Sequence, residues 1–297
     1  MPTHARANRD TAKRFRKLAK LRSRASRWRT EEGKKRRSPG KEVKGKDMDD
    51  TQYLYLLLLV PALLLSSWAA WKVKTALAEG HQITARCGLT GAQAAEKVLQ
   101  KAGVIAQIEE TKGKLGDHYD PRDKTLRLSK EVYHGTSISA IGVAAHEAGH
   151  AIQDGLGSRM LALRNLTVPL ASFGGNTGML ILAAGITLAA SDHHLGRWVM
   201  LGGIAAFSLT VLFQLINLPV EFDATRRGRE NLIQAGLVGE DEDRAIGKVL
   251  EAAAMTYVAA TITSLGQIAY LTNWLLKQPP GSFGKSKASR SRKRTRK

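Results

Sequence analysis

The run YLYLLLLVPALLLSSWAAW, residues 53–71, holds no charged side chain across its whole length. A helix needs about 20 apolar residues to cross the hydrocarbon of a bilayer, and lipid leaves helices and closed barrels as the only backbones with every polar group satisfied. Three further stretches reach the same length less plainly, at about 166–190, 198–218 and 252–276. They are rich in Gly, Ala, Ser and Thr, small residues that let membrane helices approach closely, so a packed bundle is expected. Buried helices of a soluble α-protein are the competing reading, but four such spans exceed ordinary core-helix length. A cleavable signal peptide fits the first run poorly, because its apolar stretch outruns the usual ~7–15 residues and no clean small-x-small cleavage site precedes a new domain.

Averages over the chain hide this pattern. The mean hydropathy of −0.23 and the formal charge of +20 describe a basic soluble protein. Residues 1–50 and 284–297, however, hold about 26 of the 46 Lys and Arg and about +19 of the charge, so the body is nearly neutral. The tails read as solvated, disordered arms, with anionic lipid or RNA phosphates as the partners such charge suits. Met48 opens the MDDTQYLYLL stretch and is expected as an alternative initiator. Cys87 stands alone, which excludes an intramolecular disulfide framework and a cysteine-rich metal cluster.

The expected layout is a basic tail (1–50), a transmembrane helix (51–72), a polar α+β segment (73–160), a transmembrane hairpin (166–218), a helical segment (219–251), a transmembrane helix (252–276) and a second basic tail (277–297). Within the polar segment, GLTGAQAAEKVLQKAG (88–103) reads as a helix with Thr90 at its N-cap and Gly103 as its stop. VIAQIEE (104–110) has strand character. DHYDPRDKTLRLS (117–129) reads as a hairpin, with PRD at the turn and alternation in TLRLS. Thr136 or Ser137 then caps a helix ending near Gly155.

That last helix carries VAAHEAGHAIQ (143–153). Residues four apart share a helix face, so His146 and His150 can hold one metal ion, and Glu147 points to one side, where it can reach a water without being a ligand. Zinc brings the pKa of such a water to about 7, within reach of a carboxylate base at neutral pH. Ala144, Ala145, Ala148 and Gly149 keep the helix slim for a close neighbour. A catalytic zinc takes three protein ligands and leaves one position open. Downstream, LPVEFDATRRG (218–228) offers Glu221, with Asp223 as its rival; two residues apart on a helix face different ways, so one ion cannot take both. Charge at a helix N-terminus is the bland alternative for either acid. Between His150 and Glu221 the chain crosses the membrane twice, through the short loop SDHHLGR (191–197), and an even number of crossings returns it to one side. His193 and His194 in that loop fall on the opposite face.

With these residues in hand, the chain resembles the bacterial membrane-bound neutral zinc metallopeptidases of the YugP-like family over about residues 50–276. The resemblance rests on QYLYLLLLVPALLLS, GLTGAQAAEKVL, DHYDPRDKTLRLS, AIGVAAHEAGHAIQ, LPVEFDATRRG and AAAMTYVAA, in that order. It implies Zn2+ held by His146, His150 and Glu221, and Glu147 as the catalytic acid/base. More distantly, the layout resembles integral-membrane gluzincins such as the prenyl-protein proteases, which carry an aspartate four residues after the ligand glutamate; that position here is Thr225. The expected fold class is therefore α-rich α+β, four transmembrane helices bearing a small gluzincin-like domain in which a β-hairpin precedes the HExxH helix.

The expected function is a membrane zinc endopeptidase acting on peptide or protein substrates, with His118, Tyr119 or Arg226 supplying substrate or oxyanion contacts and the strand at 118–119 offering an edge to an extended substrate. Basic flanks keep both termini cytoplasmic and turn the catalytic segment outward. The alternative class is a non-catalytic membrane anchor whose tails bind lipid or nucleic acid; such a tether has no use for three ligands and a base.

Overall fold

A computed structural model describes residues 50–111, 116–191 and 195–277. The basic tails, Met48 and the loop histidines His193 and His194 lie outside the described residues. Helix α1 (Asp50–His81) is followed by α2 (Gly91–Ala102), strands β1 (Gln107–Glu110), β2 (His118–Asp120) and β3 (Thr125–Leu128), and a short α3 (Lys130–Tyr133). Then come α4 (Ile138–Gly155), α5 (Arg159–Ser172), a π-helical turn (Phe173–Thr177), α6 (Gly178–Ala190), α7 (Gly196–Gln234) and α8 (Glu240–Lys277).

Among the described residues, four stretches are long and apolar enough to cross a membrane: Tyr53–His81, Arg159–Ala189, Gly196–Gln234 and Glu240–Lys277. Leu57, Leu64, Trp71, Leu166, Leu180 and Trp198 are exposed along them, a density of bare apolar surface that marks a lipid-facing wall. Helix α1 runs antiparallel to α8. Tyr55 meets Tyr270 edge to face at 5.0 Å, and further along Ser66 Oγ lies 3.0 Å from Thr263 Oγ1. Helices α6 and α7 form the hairpin, packed through Leu182, Ala189, Met200 and Ile204, with Leu275 of α8 closing the cluster. Thr210 Oγ1 donates to the Ala171 carbonyl at 3.1 Å beside the π-helical turn, so a side chain from the neighbouring helix takes up a carbonyl where the ladder is disturbed.

The polar unit has a core of its own. Val98, Leu99, Leu126, Leu128, Ile138, Ile141, Ile152, Leu232 and Ile246 are buried together. Helix α2 is delimited by its caps: Thr90 and Gln93 form a reciprocal capping box, and Gly103 ends the helix at φ 69°, a left-handed backbone that glycine adopts without strain. Strands β2 and β3 form the antiparallel hairpin, and β1 adds parallel to β3, so β3 is central and β2 is an edge. The turn holds an Asx contact, Arg122 N donating to Asp120 Oδ1 at 3.0 Å. Ser137 caps α4 by accepting from the Ala140 amide.

The helices differ in extent from the hydropathy-based reading. Pro219 does not open a new helix: α7 passes through it as one rod. Proline removes one ladder bond and crowds the preceding turn, but the backbone here is held on both sides by packing, against α6 before Pro219 and against α4 after it. The expected 219–251 segment thus divides between the end of α7 and the start of α8, with Gly236 at φ 67° in the break. Helix α8 begins at Glu240, twelve residues before its apolar stretch, where Glu240, Asp241, Glu242 and Asp243 complement the positive end of the helix dipole.

Candidate metal centre

The antiparallel contact between α4 and α7 builds the site. A methyl group placed on Gly149 would lie 2.1 Å from the Ala224 carbonyl oxygen, and one on Gly228 would lie 2.3 Å from that of Ala145. The two backbones touch at both points, which no other residue type permits. Beside these contacts α4 carries His146 and His150, and α7 carries Glu221 and Thr225.

His146 Nε2 lies 3.3 Å from Glu221 Oε2, and His150 Nε2 lies 3.7 Å from the same oxygen. One ligand atom from each of the three residues falls within 4.8 Å of the others. Ligands ~2.0–2.1 Å from a tetrahedral zinc sit about 3.3–3.4 Å apart, so this donor set fits that ion. Glu221 is only 4% exposed and His150 8%. A carboxylate so buried needs a cation or strong donors.

Hydrogen bonds set which ring nitrogens face the centre. The Gln153 amide donates through Nε2 to the Val220 carbonyl at 2.9 Å and to Asp223 Oδ2 at 2.8 Å. Its Oε1 must therefore accept, and His150 Nδ1 donates to it at 3.1 Å, which leaves Nε2 a bare lone pair. His146 Nδ1 lies 3.0 Å from Thr225 Oγ1, so Thr225, one turn beyond Glu221, partners the outer nitrogen of that ring. Burial pushes the His150 imidazole down, but the Glu221 and Glu147 carboxylates overcome it and raise its proton affinity. The centre attracts positive charge. On the carboxylate side, Asn217 Nδ2 donates to Glu221 Oε1 at 3.2 Å, and Arg164 Nε donates to Asn217 Oδ1 at 3.0 Å.

Glu147, 8% exposed, lies beside this trio rather than in it. Its Oε2 accepts the Tyr119 backbone N–H at 3.0 Å, so the outer edge of β2 faces the site. Two cavities, of about 190 and 250 Å³, share Asp117, His146, Glu147, Glu221 and Tyr257 along their walls.

The other residues singled out from sequence are distributed as follows. His118 lines the larger cavity, with Nδ1 2.9 Å from the Gly116 carbonyl oxygen. Tyr119 lines it too, but its hydroxyl donates to Asp154 at 2.8 Å; burial and that carboxylate push the phenol up, so it remains protonated. Arg226 lines neither cavity and pairs with Asp223 and Glu230 on the exposed side of α7. Asp223 also stays out of the centre, held by Gln153, Arg226 and Arg227. Asn217 and Gln153 were legible in principle, one turn from Glu221 and His150 on their helices. Arg164 and Tyr257 come from distant segments and carry no local signal.

A helix-rich membrane protein with a buried His–His–Glu cluster defines a class, that of membrane proteins with a zinc-type centre. Residues 55–276 match the sequence model of the family described as "Putative neutral zinc metallopeptidase", and the chain belongs to that family. It is 40% identical over 217 residues to a Bacillus subtilis (strain 168) protein described as "Putative membrane protease YugP", covering 72% of this chain and 93% of the relative. No solved structure matches.

Proposed function

We propose that the chain is an integral-membrane zinc endopeptidase of the gluzincin type, with His146, His150 and Glu221 as the metal ligands and Glu147 as the general base. The convergence of two imidazoles and a buried carboxylate from separate helices carries this reading. Zinc held there supplies a Lewis acid and an acidified water. Glu147, on the rim of both cavities, takes a proton from the attacking water and delivers it to the departing amine. The edge of β2 aligns the substrate backbone, its Tyr119 N–H exchanging Glu147 for a substrate carbonyl. His118 and Tyr257 border the space where the oxyanion develops. Arg226 is committed to Asp223 and Glu230 on the far side of α7 and has no part in that step.

Glu147→Gln tests the base directly. The variant is expected to bind zinc as the wild type does and to lose turnover of a peptide library by at least about a hundredfold. A Gln variant that cut at the wild-type rate would remove Glu147 from the mechanism. The proposed sidedness puts the site outside and the termini in the cytoplasm. Half-buried Cys87, on the same polar unit, should then react with an impermeant thiol reagent in intact cells; labelling only after lysis would reverse the orientation.

A further inference from the structure

The smaller cavity has a character that peptide hydrolysis alone does not require. One wall is the reacting centre, with His146, Glu147 and Glu221. Asp117 and Thr225 also line the cavity, and the rest of the lining is apolar: Val143 of α4, one turn from His146, and Leu250, Ala253, Ala254 and the ring of Tyr257 from α8. The four α8 residues recur at helical spacing, so they form one stripe along a single face of that helix. Leu250 and Ala254 are buried at 4% and 6% exposure. Two alanines in the middle of the stripe leave about 190 Å³ empty. That space is of the size that takes a benzene ring, which a cavity of ~150 Å³ accommodates. The larger cavity shares Asp117 and the reacting centre with the smaller one but is otherwise bordered by His118, Arg164 and Asn165 among others.

We infer that the recess between α4 and α8 is a specificity pocket that takes one benzene-sized apolar side chain, of the Phe, Leu or Met class, from a residue flanking the cleaved bond. Burying that side chain beside Glu147 anchors the substrate at the reacting centre, and Ala253 and Ala254 set the size limit. Residues on the other side of the cut meet the polar cavity and are selected weakly for apolar character. This assignment rests on the peptidase reading and adds its substrate class.

The test uses the full chain in detergent with zinc and peptide pairs that differ only at one position, Phe against Ala, scanned along the sequence. Wild type is expected to favour Phe by at least about tenfold in kcat/KM at one position flanking the cut. Ala253→Leu, which fills the recess, should lower that Phe-to-Ala ratio by about tenfold or more. Leu250→Ala, which enlarges it, should raise the Trp-to-Phe ratio at the same position. Affinity of labelled Phe and Ala peptides for zinc-loaded Glu147→Gln gives the same comparison without turnover, and the Phe peptide should bind tighter. Cleavage with no apolar preference, or ratios unmoved in both variants, would overturn the pocket while leaving the peptidase intact. A zinc-loaded wild type that cuts no peptide would instead remove the peptidase reading, and the pocket with it.

Discussion

Thr225, Gln153 and Asn217 do for this centre what the three proposed ligand residues cannot do alone. An imidazole offers a lone pair inward only if its other nitrogen has a partner, and a buried carboxylate keeps its direction only if its second oxygen is held. Gln153 fixes His150, Thr225 meets His146, and Asn217 holds Glu221 with Arg164 behind it. Asn217→Ala is therefore expected to weaken zinc affinity about 10–100-fold without unfolding the chain, as read by competition with a metal-binding dye. An unchanged affinity would mean that Glu221 is positioned by the helix alone. The histidines and Glu221 were legible because metal chemistry restricts the residue types and the helix restricts the spacing. Asn217 and Gln153 stood one turn from them but were not singled out, since an amide on an apolar helix has many other uses. Asp223 shows the limit: two residues from Glu221, it could be set aside as a joint ligand, but its bonds to Gln153 and Arg227 needed coordinates.

The α4–α7 pair is the element on which the site depends. Gly149 against Ala224 and Gly228 against Ala145 bring the two axes close enough for a carboxylate on one to meet imidazoles on the other. Gly149→Ala must push the helices apart, because the obstacle is backbone and cannot rotate away. Overpacking of this kind costs about 1–3 kcal/mol, occasionally more. The variant is expected to melt at lower temperature and to hold less zinc. Gly202→Ala, with open space around the new methyl, should match the wild type in both; equal behaviour of the two variants would contradict the close-contact account. The slim AAHEAGH face announced a close neighbour in the sequence. The lengths of α7 and α8 were not visible there, because hydropathy changes at the bilayer boundary whereas helical hydrogen bonding does not.

For the molecule as a whole, parity was easier to read than boundaries. Counting the stretches between His150 and Glu221 gives an even number however their ends are drawn, and α6 and α7 do return the chain to α4. The mixed sheet was half legible: the hairpin follows from alternation and its turn, while the parallel docking of β1 on β3 depends on contacts remote in sequence. The polar unit and the membrane helices share α7 and α8, so the centre is built where both meet. Everything proposed for the chain requires that a residue beyond the membrane hairpin bind the same ion as the two histidines. Zinc content of the purified full chain tests this most directly. Wild type should carry about one zinc per chain, and Glu221→Ala, folded by circular dichroism, should lose most of it. A Glu221→Ala protein that kept the full complement would contradict the three-ligand centre.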